Sequence, residues 1–516
     1  MGREAVADTA GANGGLAGST VLLTGASGFL GKAVLATLLA RADRPDRLFV
    51  LLRASDAGAA RRRLEDEVLA SDAFATLSKD ALRSDLDRER LLAVAGDLES
   101  DRLDAASSQH WGAVDTVIHC AASVSFEDPL DEILALNSLG PLRLLESLHD
   151  AGADPHFVHV STAYAADCRR NSVGEDGPEH AGLAGLDPDA MLATAREWRS
   201  AVEEESRGPG PARRFAREGE RDAAHRPELD ATERAEEHRR RWAQAQLGRR
   251  GRRWAMEAGW QDAYALTKAL GERLLKERDA PITIVRPTII ESALRLPQPG
   301  WLEGIKVADP LILAYAARGL THLPGRETNL IDIVPVDYVA NACVAAAAYP
   351  PAASESPRTI AVASSAHNPL TLGELAAQIR IHFKDDPLRR RDGTPIVIGD
   401  LRFVDRKLAL RRTMRREALA RVAARAAGSR AVPLSRERQL RRTAKLAAQV
   451  TRMVKIYGPY TELNCVFEDG NGRALAAAMS PADRAALPFD PADIEWEDYL
   501  QRVHLPSVHR MSGAGS

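Results

Sequence analysis

The chain has 516 residues, 45% of them apolar and 27% charged, and a formal net charge of −3. This length exceeds one typical domain and predicts two or three, while the small net charge gives no electrostatic reason to bind nucleic acid. The cysteines have no CxxC spacing, which favours a reducing cytoplasm and argues against both a disulfide framework and a metal site: Cys120, Cys168, Cys343 and Cys465.

The first 18 residues are small and polar and are expected to form a disordered leader, since they contain no apolar segment of the kind that signal peptides have. No run approaches about 18 uncharged apolar residues, so no transmembrane helix is expected. Short apolar runs, in which apolar and polar residues do not alternate, then recur along the chain. They predict strands covered by helices on both faces of a sheet: 20–23, 48–52, 91–95, 116–120, 157–161 and 282–285.

Helical patterns separate these runs, as in Leu30–Ala40 and Pro129–Leu148. Strands that alternate with helices predict an α/β fold, a doubly wound parallel Rossmann sheet. A charged stretch at 168–258 interrupts the pattern and breaks at Pro209-Gly210-Pro211. We interpret it as an insert of exposed helices, partly disordered, that forms either a flap or a solubilising surface.

The remainder of the chain predicts a smaller, mainly helical domain. Arg358–Ser364 resembles one more strand, Leu370–Phe383 a helix with Thr371 as its N-cap, and 402–452 a set of basic amphipathic helices. The expected division is a leader at 1–18, a reductase domain at 19–358, a helical domain at 359–508 and a disordered tail at 509–516.

A glycine-rich loop of the form GxxGxxG follows the first predicted strand. Gly25 permits the turn, Gly28 lets backbone approach a pyrophosphate, and Gly31 lets the next helix pack against the sheet. The N-terminus of that helix offers N–H groups and partial positive charge to phosphates. This setting predicts a dinucleotide site formed by Gly25, Ser27, Gly28, Phe29, Leu30 and Gly31.

The second strand ends at Arg53, where binders of NADH usually have an acid that holds the ribose 2′-hydroxyl. An arginine there favours the 2′-phosphate of NADPH, which is the predicted cofactor. Further cofactor contacts are expected where later strands end: Asp97 and Leu98 beside the adenine, Ala121 and Ala122 along the backbone, and Pro287 and Thr288 near the nicotinamide.

Tyr264 and Lys268 lie four residues apart and share one helix face. A phenol has an ordinary pKa near ~10, and a neighbouring ammonium group favours its ionised form, which brings it towards useful acidity. The same lysine can hold the nicotinamide ribose. A hydroxyl at the end of the fifth strand completes the set; Thr162 is preferred and Ser161 is the alternative.

These motifs resemble the extended short-chain dehydrogenase/reductase superfamily and, more narrowly, the fatty acyl-CoA reductases. The closer resemblance lies in residues 21–32, 159–164, 259–272, and 299–301 with 329–337. The resemblance is firm over residues 19–345 and loose in the second domain, where it is confined to residues around 456–460. The charged insert is longer than expected for plant or animal members of the family.

The resemblance implies reduction of a long-chain acyl thioester by NADPH, carried on coenzyme A or a carrier protein. Thr162 and Tyr264 would stabilise the oxyanion, and the aldehyde would be reduced again to a fatty alcohol, with Tyr264 as proton donor. No acyl-enzyme is needed, and Cys120 is read as a small buried cysteine. An enzyme that stops at the aldehyde stays an alternative.

Two competing functions fit less well. A nucleotide-sugar dehydratase would follow Thr162 with two acids, whereas Ala163 and Tyr164 stand there, and a sugar epimerase would have an acid in place of Arg53. A non-catalytic regulator would tend to lose Tyr264.

Two further features have open interpretations. An apolar segment is either an acyl-chain wall or ordinary core: Val307, Leu311, Ile312, Leu313, Tyr315, Leu320 and Leu323. The basic helices at 402–452 either hold coenzyme A phosphates, rest on the inner face of an anionic membrane, or form a solvated surface.

Overall fold

The computed structural model describes residues 15–100, 108–177, 180–223, 226, 228–305, 308–390, 392–428 and 434–514. Most of the predicted leader, Val307 and the last two residues lie outside these ranges. Within the leader, residues 15–18 are not disordered: Leu16 is buried in the core, and the Gly18 N–H donates to Asp46.

Seven parallel strands form the central sheet in the order β7-β6-β5-β4-β1-β2-β3. The strands are β1 Thr20–Thr24, β2 Arg47–Leu52, β3 Leu91–Ala95, β4 Thr116–His119, β5 His156–Val160, β6 Ile282–Pro287 and β7 Arg358–Val362. Neighbouring residues of β1 belong to different clusters, since Val21 packs on one face of the sheet and Leu22 on the other. The prediction of a doubly wound Rossmann sheet is confirmed.

Helices cover both faces and extend into the rest of the chain. In chain order they are α1 Phe29–Ala40, α2 Ala57–Arg63, α3 Lys79–Asp87, α4 Ser108–Trp111, α5 Leu130–Leu134, α6 Gly140–Asp150, α7 Pro188–Arg207, α8 Pro209–Arg221, α9 Ala231–Glu257, α10 Ala263–Lys276, α11 Asp309–Ala316, α12 Val336–Ala348, α13 Leu372–Asp385, α14 Arg406–Gly428, α15 Leu434–Thr461, α16 Gly470–Ala478, α17 Pro481–Ala486, α18 Trp496–Asp498 and α19 Leu505–Ala514.

Short parallel strand pairs join distant segments outside the sheet. They are Ile289–Glu291 with Ile333–Pro335, His322–Pro324 with Arg402–Val404, and Ser172–Val173 with Val466–Phe467. Two of these pairs tie residues beyond 400 to the preceding part of the chain.

The charged insert folds into α7, α8 and α9 and packs more extensively than its polarity suggests. Met191 and Leu192 of α7 share a core cluster with Leu130 of α5 and Leu266 of α10. On α9, a Cβ at Gly248 would lie 2.0 Å from the carbonyl oxygen of Glu127. The insert therefore supports the segment before α5 rather than projecting into solvent.

The C-terminal part departs from two expectations. Strand β7 continues to Val362, so the sheet extends past the boundary expected at 358. Residues 509–514, expected in a disordered tail, continue helix α19, because Leu505 and Val508 are buried and anchor it. Thr371 caps α13 as expected, in a reciprocal arrangement with Glu374.

The basic helices α14 and α15 pack against each other as a hairpin. Within the described ranges, every helix is too short or too polar to cross a membrane.

Candidate functional site

Two adjoining cavities open where the central strands end, one of about 280 Å³ and the other of about 290 Å³. Both are lined by Gly25, Gly28, Cys120 and Ala122. They therefore form a bent channel that passes over the loop between β1 and α1, which is where a dinucleotide binds in this fold.

The glycine loop is held by close backbone contacts. Gly25 has a φ of +73°, and a Cβ there would lie 2.6 Å from the backbone nitrogen of Ala121. A Cβ on Gly31 would lie 2.1 Å from the carbonyl oxygen of Gly25. Gly31 therefore permits α1 to pack against the loop itself, whereas the sequence argument assigned it to a contact with the sheet.

Six of the residues expected to contact the cofactor line the 290 Å³ cavity, namely Ser27, Arg53, Asp97, Leu98, Ala121 and Ala122. Arg53 pairs with Glu99, and its Nε lies 3.5 Å from Asp97 Oδ2. Arg63 also lines this cavity and donates to the carbonyl oxygen of Arg53 at 2.7 Å. The sequence argument missed Arg63, although the Arg61-Arg62-Arg63 run after β2 offered a signal.

The 280 Å³ cavity, called here the reaction cavity, brings together Thr162, Tyr264, Lys268, Pro287 and Thr288, with Phe29, Leu30 and Gly31 at its edge. Asp262 caps the helix that carries Tyr264, accepting from the Ala265 N–H at 2.9 Å. Thr162 is the last residue before a tight turn at the end of β5.

Burial, followed by the charge of Asp262, raises the pKa of Tyr264 above its ordinary value, and a hydrogen bond with Thr162 acts in the opposite direction. The direction is opposite to that expected from a neighbouring ammonium group, because desolvation dominates. Tyr264 is therefore a protonated phenol at neutral pH and can donate a hydrogen bond. Thr162 and Ser161 both line the reaction cavity, and Ser161 Oγ is buried without a hydrogen bond of ordinary geometry.

Lys268 is 1% exposed, and its Nζ lies 2.5 Å from the carbonyl oxygen of Val160 and 3.5 Å from His159 Nε2. Burial lowers its pKa to about 8, against the opposing influence of Glu272 and Cys120. Near neutral pH the lysine is a cation on the floor of the reaction cavity, one helical turn beyond Tyr264.

Aromatic residues from distant segments form the roof of the reaction cavity. The ring of Phe126 packs edge-on against Tyr264, Tyr457 and Tyr460, with centroids 5.6–5.9 Å apart. Tyr457 and Tyr460 come from α15 and line the cavity together with Leu311 of α11. This roof was not predicted from the sequence, where its one signal was the loose resemblance around residues 456–460.

The apolar segment that was read as either an acyl-chain wall or ordinary core is mostly core. Leu311 lines the reaction cavity, and Leu313 lines a separate groove of about 630 Å³ between α11 and the α14–α15 hairpin. The remaining described members are buried in the main core: Ile312, Tyr315, Leu320 and Leu323.

Known proteins place this geometry in a family. Two domain families, both described as Male sterility protein, match residues 23–343, with an NAD-binding domain, and residues 418–511. The probable fatty acyl-CoA reductase 4 of Arabidopsis thaliana is 30% identical over 519 aligned residues, which cover 95% of this chain and 96% of that protein. The chain belongs to the fatty acyl-CoA reductase family. The alcohol-forming fatty acyl-CoA reductase of Simmondsia chinensis is 29% identical, over 95% of this chain and 96% of that protein.

Solved structures agree with the fold of this fatty acyl-CoA reductase. The terminal R domain of the myxalamid PKS-NRPS pathway has a TM-score of 0.55 at 16% identity, covering 92% of this chain and 90% of that one. The reductase domain of a non-ribosomal peptide synthetase from Mycobacterium tuberculosis has a TM-score of 0.52 at 20% identity, covering 98% and 94%. Together with the family match and the relatives above, this fold makes the chain an oxidoreductase with a nicotinamide-binding Rossmann domain, as the resemblance implied.

Proposed function

We propose that this reductase converts long-chain fatty acyl-CoA into fatty alcohol in two NADPH-dependent steps, with Thr162, Tyr264 and Lys268 as its catalytic residues. The observation that carries the proposal is that Thr162, Tyr264 and Lys268 line one apolar cavity, which adjoins the phosphate loop. An acyl thioester offers a carbonyl for Thr162 and Tyr264 and a hydrocarbon chain for the aromatic walls.

The described residues fit a dinucleotide. Side chains on Gly25 and Gly31 would clash with backbone atoms, so the tight turn requires glycine at both positions. Gly28, at the N-terminus of α1, lines both cavities, where its helix end can face phosphates. NADPH, when bound, supplies the hydride for each step. Arg53 and Arg63 would hold its 2′-phosphate, Asp97 and Leu98 would flank its adenine, and Lys268 would hold the nicotinamide ribose.

In the first step Thr162 and Tyr264 would donate hydrogen bonds to the thioester oxygen, which becomes an oxyanion as its carbon accepts hydride. The carbonyl then re-forms as the carbon–sulfur bond breaks, and coenzyme A leaves as thiolate to give an aldehyde. In the second step the aldehyde carbon accepts hydride and Tyr264 transfers its proton to the alcohol oxygen. The raised pKa of Tyr264 keeps the phenol protonated before each step, and it also makes the phenol a weaker acid than a lysine-activated tyrosine would be.

The preference for NADPH over NADH rests on charge. Arg53 and Arg63 line the adenosine end, and the acid that usually holds a 2′-hydroxyl is replaced by Arg53 at the end of β2. Asp97 and Glu99 pair with Arg53, so a 2′-phosphate would have to displace these carboxylates from the guanidinium.

Helix α14 supports contact with an anionic membrane at the cytoplasmic face. It holds eight basic residues and one acid, and its exposed apolar side chains stand among the arginines: Leu408, Met414, Leu419 and Val422. Cations together with apolar side chains on one helix surface favour the headgroup region of a negatively charged bilayer.

The test is an assay with purified protein, NADPH and palmitoyl-CoA, in which NADPH loss, coenzyme A release and the lipid product are measured together. We expect two NADPH to be oxidised for each coenzyme A released, with fatty alcohol as the product. Tyr264→Phe should lose turnover. One NADPH and free aldehyde would reduce the proposal to a single step. Failure to oxidise NADPH with any acyl thioester would overturn it.

A further inference from the structure

Three buried polar side chains from separate elements meet behind the wall of the reaction cavity. Glu291 ends the short strand after β6, Asp309 begins α11, and His504 directly precedes α19. Their exposures are 0%, 0% and 1%. Neighbours of these residues, Ile290, Ala308 and Leu311, line the reaction cavity, but Thr162 and Tyr264 do not belong to the cluster.

The donor atoms converge on one point. His504 Nε2 lies 3.5 Å from Asp309 Oδ1 and 3.8 Å from Glu291 Oε2, and one ligand atom from each residue falls within 4.8 Å of the others. Two ligands on one tetrahedral zinc ion at about 2.1 Å stand about 3.4 Å apart. The three side chains therefore approach the spacing of a shared ion with little rearrangement.

His504 is oriented as a metal-binding histidine would be. Its Nδ1 lies 3.0 Å from Ser292 Oγ, and Tyr499 in turn donates to the carbonyl oxygen of Ser292 at 2.8 Å. A proton on Nδ1 leaves the lone pair on Nε2, and this nitrogen makes no hydrogen bond although it is fully buried and faces the carboxylates. A second-shell hydrogen bond of this kind fixes the tautomer and ring orientation of histidine ligands.

The charges also require a partner. Neither carboxylate oxygen of Glu291 makes a hydrogen bond of ordinary geometry, although the Ala308 N–H and the Asp309 carboxyl group lie beside it. Across the described ranges no lysine or arginine pairs with Glu291. Burial of an unpaired carboxylate is costly. A divalent cation beside two carboxylates and a neutral imidazole would make the cluster neutral.

We propose that Glu291, Asp309 and His504 bind one divalent transition-metal ion, best matched by Zn²⁺, which fastens the C-terminal helix to the wall of the reaction cavity. Mixed carboxylate and imidazole ligands suit zinc better than the all-oxygen ions calcium and magnesium. Complete burial makes the site structural. The ligands are separated by up to 213 positions in the chain, so sequence spacing, which led us to expect no metal site, could not reveal it.

Metal content tests this proposal whether or not the enzyme turns over. Untagged protein purified without chelator, or dialysed against zinc chloride and then buffer, is analysed by inductively coupled plasma mass spectrometry. About one zinc per chain is expected for the wild type and below about one tenth for Glu291→Gln, because the ligand charge is lost. His367→Gln is the control. His367 is a half-exposed histidine that pairs with Asp469 outside the proposed site, so this variant should bind as much zinc as the wild type.

Thermal unfolding separates the proposal from its main rival, in which a proton shared between Glu291 and Asp309 neutralises the cluster. If zinc is bound, 1,10-phenanthroline lowers the wild-type Tm by several degrees and the non-chelating 1,7-isomer does not. If Glu291→Gln fails to fold, visible absorption from cobalt-substituted wild-type protein would show instead that a metal ion is bound. Wild-type protein that holds no metal after dialysis, with a Tm unaffected by the chelator, would overturn the metal site and favour the shared proton.

Discussion

The phenol of Tyr460 donates a hydrogen bond to the carboxylate of Asp262, 198 residues earlier in the chain. Asp262 is the N-cap of α10, the helix that carries Tyr264. The contact links the end of α15 directly to the start of the helix that holds the proposed proton donor.

Replacement of Tyr460 by phenylalanine should therefore destabilise the protein and slow turnover. Burial raises the pKa of Asp262, and the Tyr460 hydrogen bond opposes that rise. Loss of the donor should cost about 1–3 kcal/mol of unfolding free energy. A carboxyl group whose pKa is raised on folding destabilises the folded state when it ionises, so the loss should grow as pH rises above the ordinary value of 3.8.

Chemical denaturation at acidic and neutral pH measures this effect. Tyr457→Phe is the control, because Tyr457 packs on the same Phe126 ring but does not bond Asp262. Equal losses at both pH values, or the same loss in the control, would contradict the role given to this hydrogen bond.

Lys268 should give the enzyme a pH dependence on its alkaline side. Burial lowers its pKa to about 8, so the ammonium form proposed to hold the cofactor disappears as pH rises through that value. We expect kcat/KM for NADPH to fall over this range, and the fall to move to higher pH in Lys268→Arg.

The same lysine should affect stability in the opposite sense. Its folded pKa lies below the ordinary 10.5, so between about 8 and 10.5 the unfolded chain binds more protons. The free energy of unfolding of the wild type should thus rise with pH across that window relative to Lys268→Met. A flat difference would show that Lys268 is not desolvated as described.

Thr162→Val should reduce kcat about 10²–10³-fold, because one donor to the proposed oxyanion is lost while side-chain volume is nearly kept. Fluorescence titration should show NADPH binding unchanged. Ser161→Ala, one residue earlier on the same cavity wall, is the matched control and should retain most activity. The opposite result would identify Ser161 as the functional hydroxyl.

Arg53→Ala and Arg63→Ala should each raise KM for NADPH at least about tenfold and leave KM for NADH nearly unchanged, since only NADPH carries the 2′-phosphate. Arg61→Ala is the control. Arg61 lies on the same helix as Arg63, but it pairs with Glu65 and Asp87, so its loss should leave KM for both cofactors as in the wild type. Similar losses with both cofactors would remove the basis for the NADPH preference.

The proposed membrane surface predicts that the protein sediments with vesicles containing phosphatidylglycerol and much less with pure phosphatidylcholine. The double variant Leu419→Glu/Val422→Glu should lose about tenfold in partitioning, because it adds charge where apolar contact is proposed. Val397→Glu changes an equally exposed apolar residue outside α14 and serves as the control. Sedimentation insensitive to both lipid charge and the double variant would reject this surface.

Local rules were enough to predict much of the fold. The buried runs gave the central strands to within a residue or two at most ends, and Thr371 with Glu374 marked the start of α13, because these signals lie within a few neighbouring residues. The site residues of the Rossmann part follow the same rule, since they stand at strand ends that the fold brings to one edge.

Other features depend on contacts that sequence spacing cannot express. Tyr457, Tyr460 and Phe126 meet across more than 300 residues, and the direction of the Tyr264 pKa depends on burial that the distant Tyr460 helps to provide. The order of residues 509–514 has the same origin, because Leu505 and Val508 dock into a core formed elsewhere.

Helix α15 is 28 residues long, which corresponds to about 42 Å. One end belongs to the basic hairpin, and the other places Tyr457 and Tyr460 over the reaction cavity. If the hairpin rests on lipid as proposed, a tilt of α15 at its basic end would shift the aromatic side chains at its opposite end. Membrane contact and the passage of a hydrocarbon chain would then be coupled through one helix.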